Sequence, residues 1–209
     1  MIRSAVLGLL FAGVTAAAAE AQVPVDLAKA TTIATTVCVA CHGVDGNSVL
    51  TANPILAGQG AEYIFKQLTE FKAAEGKPAI RVNAVMNGMA STLSESDMKG
   101  LALYYSQQKR KPSAATDEKL VAAGRTLWRK GDFERGIPAC AGCHGPAGAG
   151  VPVQYPALWG QHAEYTEAQL KNFRSEERSN DAQRMMRAIA DKLSDKQIRA
   201  LADYIAGLR

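Results

Sequence analysis

The sequence predicts an all-α fold made of two tandem copies of one domain. Three observations carry this reading. The stretch CVACHG beginning at Cys38 recurs as CAGCHG at Cys140, 102 residues later. Downstream, PILAGQGAEYIFKQLTEFK (54–72) aligns with PALWGQHAEYTEAQLKNFR (156–174), and MNGMASTLSESDMKGLALYY (86–105) aligns with MRAIADKLSDKQIRALADYI (186–205) after a shift of two. Apolar residues fall at helical spacing throughout, and strand signals are nearly absent. Two similar halves of about 90 residues are a duplication and not a solenoid, which needs three or more repeats.

The elements follow in order. Residues 1–21, MIRSAVLGLLFAGVTAAAAEA, place Arg3 ahead of an apolar run that ends in Ala19-Glu20-Ala21, an A-x-A cleavage pattern. A cleavable export signal is expected. An uncleaved anchor is the competing reading, but the run is short against the roughly 20 apolar residues a bilayer span requires. Removing the leader subtracts Arg3 and Glu20, so the net charge stays at +4. The first domain is expected over 22–110 and the second over 111–209. The polar stretch QQKRKPSAATDEK (107–119) holds the seam, with 111–117 as linker.

Within each half, a helix leads into the cysteine motif (26–40 and 116–130), and a second places Tyr, Leu and Phe on one face (61–73 and 163–174). The last helix starts at a capping box, Ser94-Glu-Ser-Asp97 or Ser194-Asp-Lys-Gln197. Leu93 with Met98, and Leu193 with Ile198, occupy the positions of a hydrophobic staple.

The motifs use all four cysteines and two of the three histidines. A structural zinc site needs four ligands, and each motif offers three. A thioredoxin-type dithiol expects a βαβ context that this helical chain lacks. The remaining reading of C-x-x-C-H is covalent haem c, with Cys38 and Cys41, and Cys140 and Cys143, forming thioethers, and His42 and His144 as proximal iron ligands. Two cofactors are therefore expected. Pro54 and Pro156 each lie twelve residues past a motif histidine. Either their carbonyls accept the imidazole N–H, as metal-bound histidines usually require, or the prolines only shape a turn. His162 has no counterpart opposite Gly60 and reads as a surface or loop histidine.

The repeat also selects the sixth ligand. Met89 faces Ile189, Met98 faces Ile198 and Met185 faces Val85, so apolar bulk suffices there. Only Met86 and Met186 coincide, each seven residues before the Leu-Ser that opens the last helix. They are the expected axial thioethers. A soft thioether opposite histidine raises the potential, and filling both axial positions leaves an iron that exchanges only electrons.

With both motifs, the GQGAEY…QL and GQHAEY…QL segments and the late methionines together, the sequence resembles the cytochrome c4 family over nearly all of its expected mature length. The resemblance implies two class I cytochrome c domains with Cys38, Cys41, His42, Met86, Cys140, Cys143, His144 and Met186 as haem-bearing residues. It also implies a periplasmic one-electron carrier between a quinol-oxidising complex and a terminal oxidase, with the propionates of the two haems meeting between the domains. The alternative is the electron-accepting subunit of a periplasmic dehydrogenase. A di-haem peroxidase would need an iron position that can open, which the paired methionines oppose.

Composition narrows the partners. Hydrophobic residues make up 47% and charged residues 21%, and the formal charge of +4 is spread out with no basic cluster interleaved with aromatics. Nucleic-acid binding has no support. Four haem propionates would bring the chain near neutrality. Transient docking of small area, as is usual for redox encounters, is expected, and peripheral association with a membrane complex is compatible with it.

Overall fold

The computed structural model describes residues 24–209, so the expected leader lies outside the described residues. Among those residues the secondary structure is helical, with three isolated β-bridges and no strand. No helix among them is long and apolar enough to cross a membrane.

Helix α1 (Leu27–Ile33) starts at Asp26, whose carboxylate accepts from Lys29 N at 2.9 Å. It runs without a break through a π-helical turn (Ala34–Cys38) into α2 (Val39–His42). Threonine hydroxyls line this stretch and donate back to carbonyls one turn earlier: Thr31 to Leu27, Thr35 to Thr31, and Thr36 to Thr32. Such back-bonding bends helices, and the wide turn ends on Cys38, the first residue of the first motif. Helices α3 (Ala61–Phe71), α4 (Ala84–Ser91) and α5 (Glu95–Ser106) complete the half, with α5 packed on α1 and α3.

The second half repeats the plan, with a different approach to the cysteine motif. Helix α6 (Glu118–Lys130) ends well short of Cys140. A hairpin-like excursion closed by Asp132 and Ile137, with reciprocal backbone bonds of 2.8 Å, connects it to α7 (Ala141–His144). Helices α8 (Ala163–Arg174), α9 (Met185–Ala190) and α10 (Asp195–Ala206) follow, with α10 packed on α6 and α8.

Both halves depend on one close helix crossing. In the first, Gly100 of α5 lies against Ala30 of α1, and a Cβ at Gly100 would stand 2.6 Å from Ala30 Cβ. In the second, Gly124 of α6 lies against α10, and its Cβ would stand 2.1 Å from Ala200 O. The glycine has changed helix between the copies, and the contact is the same.

The cores differ in size. The first gathers Ala34, Ile64, Leu101, Ala102 and Tyr105. The second gathers Leu127, Trp128, Ile137, Leu193, Ile198, Leu201, Tyr204, Ile205 and Leu208. Trp128, fully buried, donates from Nε1 to Pro146 O at 3.0 Å.

Both capping boxes form. Ser94 Oγ accepts from Asp97 N at 3.1 Å and Asp97 accepts from Ser94 N at 3.0 Å, and Ser194 and Gln197 repeat this at 3.3 and 3.0 Å. Asp97 also pairs with Lys29 of α1 at 2.7 Å. The Lys29 ammonium, then the Ser94 donors, hold its carboxyl down at about 2. A depressed carboxyl stabilises the fold above its unfolded value and loses that contribution as pH falls through the folded one. Asp97→Asn is therefore expected to cost about 1 kcal/mol at pH 7, after allowance for the exposed lysine. The difference from the parent should shrink between about pH 4 and pH 2, as read by denaturant melts across that range.

The polar segment between the halves is largely exposed, yet it is fastened at several points. Arg110, 3% exposed, donates from Nε to Ala57 O at 2.8 Å and from Nη1 to Trp159 O at 2.6 Å. Asn47 clamps the flanking backbone through Lys111 N at 2.8 Å and Lys109 O at 3.0 Å. Asp203 receives Thr116 N, Thr116 Oγ1 and Asp117 N. The stretch is a strap fastened to both halves. Arg110 spends its guanidinium on two backbone carbonyls, a use that composition alone does not reveal.

Candidate functional site

The four-residue helices α2 and α7 present the paired motifs. A helical turn puts cysteines three apart on one side, with the histidine next in sequence. Cys38, Cys140 and Cys143 are half-buried and Cys41 is exposed. Burial pushes the Cys38 thiol up, and the Cys140 thiol to about 11. A reactive dithiol shows the opposite, a thiol pKa pulled down toward neutrality.

His42 and His144 are each 7% exposed. The Nδ1 of His42 lies 3.0 Å from Pro54 O, and that of His144 lies 3.0 Å from Pro156 O. A carbonyl can only accept, so Nδ1 carries the proton in both rings. Burial lowers both histidines below their ordinary value, more than the carbonyl bonds raise them. Each ring is thus neutral near pH 7, with its lone pair on Nε2. Of the two readings open for Pro54 and Pro156, the carbonyl acceptor is the one the structure adopts.

Met86 lies half-buried in the first turn of α4, and its N–H donates to Asn83 Oδ1 at 2.9 Å. Asn87 completes the support by donating to Phe71 O at 2.7 Å and Arg81 O at 2.8 Å. Met186 is the second residue of α9 and also half-buried. Its helix is entered differently: Asp181 accepts from Arg187 N at 3.0 Å and Arg187 Nε at 2.7 Å. Asn83 and Asp181 were missed in the sequence reading. Asn83 is a helix-cap type just before an apolar turn, and that signal was available. Met98 is core, Met89 is exposed and Met185 is half-buried.

The donor set fits a haem c in each half: two thiols on one helical side, a neutral imidazole with Nε2 free, and a thioether on a later helix. Apolar side chains at the surface add to the fit, with Val37 and Val44 flanking the first motif and Ile80, Val82 and Val85 leading to Met86. So does Arg110 Nη2, a buried donor with no partner among the described residues. Burial lowers Arg110 only to about 10, so it stays cationic at the seam and suits a haem carboxylate.

A polar network of two-fold pattern joins the halves. Arg81 stacks over Phe71 of its own half, donates to its own Gln67 at 2.6 Å, and reaches Tyr165 at 3.1 Å and Gln169 at 3.0 Å across the seam. Arg178 mirrors it, stacking over Phe173, donating to Gln169 at 2.9 Å, and reaching Tyr63 at 2.9 Å and Gln67 at 3.2 Å. His162, read from sequence as a surface or loop histidine, belongs to this seam. It is half-buried, and its Nε2 lies 2.9 Å from Ser48 O of the other half. It stands opposite Gly60, which has no side chain to make the matching contact. Thr51 donates to Glu164 alongside it.

Known proteins resemble the chain over both halves. The cytochrome c family model matches residues 27–109 and again 121–209. The chain is 48% identical over 178 residues to cytochrome c4 of Azotobacter vinelandii, covering 82% of this chain and 84% of that one. A thiosulfate dehydrogenase electron acceptor of Thiomonas intermedia is 42% identical, covering 81% of this chain and 77% of that one. The crystal structure of reduced recombinant cytochrome c4 from Pseudomonas stutzeri superposes with a TM-score of 0.81 at 42% identity, over 89% of this chain and all of that one.

Proposed function

The chain belongs to the cytochrome c4 family, and from that premise we propose that this di-haem electron carrier works in the periplasm, passing electrons from a quinol-oxidising complex to a terminal oxidase. Haem c, when bound, supplies a one-electron iron couple at each of two centres. The residues of the chain do the rest. Cys38 with Cys41, and Cys140 with Cys143, are the tethers. His42 and His144 would each bind the iron through Nε2, since Nδ1–H is spent on a proline carbonyl. Met86 and Met186 are the thioethers that would hold the iron with the histidines and leave no ligand position for exogenous molecules.

The observation that carries this reading is the duplication of the whole donor set, with the histidine proton held away from the iron side in both copies. The test is a potentiometric titration of the purified holoprotein together with pyridine haemochrome counting. Two haems per chain and two one-electron waves are expected. One haem, or ready uptake of carbon monoxide by the native reduced protein, would overturn it.

A second reading is favoured by the Thiomonas intermedia relative, an electron acceptor of thiosulfate dehydrogenase. On that reading the same centres receive electrons from a periplasmic dehydrogenase. Reduction by a purified thiosulfate dehydrogenase much faster than by a quinol-oxidising complex would select it. Docking to either partner would be transient and of small area.

A further inference from the structure

Two glutamines cross the seam in opposite directions. Gln161 of the second half is 5% exposed; its Oε1 accepts from Ile55 N at 2.9 Å and its Nε2 donates to Ile55 O at 3.0 Å. Gln59 of the first half is 6% exposed; its Oε1 accepts from Ala157 N at 2.8 Å and its Nε2 donates to Ala157 O at 2.9 Å. The target positions are not arbitrary. Ile55 N shares its peptide bond with Pro54 O, the acceptor of His42 Nδ1–H, and Ala157 N shares its peptide bond with Pro156 O, the acceptor of His144 Nδ1–H. Each motif histidine is thus joined, through a single peptide group, to a glutamine from the opposite half.

The two hydrogen bonds of one amide reinforce each other. Drawing on the N–H increases negative charge on the carbonyl oxygen, and a more negative oxygen pulls harder on the imidazole proton. The imidazole then becomes a stronger donor at Nε2, the effect that carbonyl and carboxylate partners have on metal-bound histidines generally. A stronger donor favours ferric iron.

The geometry points to Gln59 and Gln161 as positioning residues that set the donor strength of the histidine in the other half, so that each centre's potential is trimmed by a residue of its neighbour. This rests on the reading of His42 and His144 as iron ligands. An interface staple with no electronic role is the alternative, and the two differ in which haem responds.

The test uses the full holoprotein bearing Gln161→Leu, with both potentials measured by spectroelectrochemistry and assigned to each haem by NMR. The expected result is an upward shift of the haem held by Cys38 and Cys41, larger than that of the haem in the mutated half. At fixed applied potential its ferrous-to-ferric ratio should rise about two- to fourfold, the reach of a 10–30% cooperative change in a strong hydrogen bond. The His42 Nδ1–H resonance should move as well. Gln59→Leu should give the mirror image. His162→Ala, which breaks another cross-seam bond and leaves both glutamines, serves as the control. Should Gln161→Leu fail to fold, Gln161→Met carries the same expectation with less change of shape.

No shift, a larger shift in the haem of the mutated half, or an equal shift from His162→Ala would each overturn the proposal. Failure of the underlying ligand assignment shows separately, because the parent's reduced form would then lack histidine ring protons displaced by the haem ring current.

Discussion

Replacing Met86 with alanine is expected to lower the potential of the first haem by roughly 0.1 V or more, within the range of about 0.8 V that axial ligation governs. A thioether stabilises ferrous iron, and alanine offers no donor in its place. The sulfur-to-iron charge-transfer absorption of that haem should vanish, and its reduced form should take up carbon monoxide. The second haem should keep its spectrum. Met89→Ala is the matched control, since Met89 stands exposed one turn along the same helix and faces Ile189 in the repeat. An unchanged spectrum and potential in Met86→Ala would remove Met86 from the ligand set, and the same experiment on Met186 tests the other half.

Trp128→Ala is expected to cost about 3–5 kcal/mol, the usual range for deleting a large aromatic side chain from a core. The ring is fully buried, lies with centroids 6.3 Å from both Tyr204 and His144, and its Nε1 holds Pro146 O in the loop just after the motif. The loss therefore reaches the motif loop as well as the core. Trp128→Phe keeps much of the volume and drops the hydrogen bond, so about 1 kcal/mol is expected from it. Denaturant titration followed through Trp159 fluorescence reads both. Equal stability of the alanine variant and the parent would mean that α6 does not depend on this contact.

Much of the fold was legible because it is local. The capping boxes at Ser94 and Ser194 need only four consecutive residues, and both formed as read. The cysteine-histidine motifs were legible for the same reason. What escaped was set by partners far away in sequence. Arg110 stood in the polar stretch read as the seam, and its two carbonyl acceptors, Ala57 O and Trp159 O, belong to different halves. His162 looked incidental because a partner in the other copy, Ser48 O, cannot be inferred from its neighbours. A signal for the seam did exist. Gln59 and Gln161, Tyr63 and Tyr165, and Gln67 and Gln169 recur in register at places where apolar residues would serve a plain core. Polar residues kept in both copies mark a surface that the copies share.

The displaced glycine at the helix crossings has a consequence for how a duplicated chain assembles. A newly made polypeptide carrying two similarly built halves risks pairing the opening helix of one with the closing helix of the other. Here such a hybrid would bring Ala30 against Ala200, where no room exists for two methyl groups, or Gly124 against Gly100, where a hollow would remain. Either mismatch penalises the wrong partnership, so correct sorting of the twin lobes is written into which helix lacks a side chain.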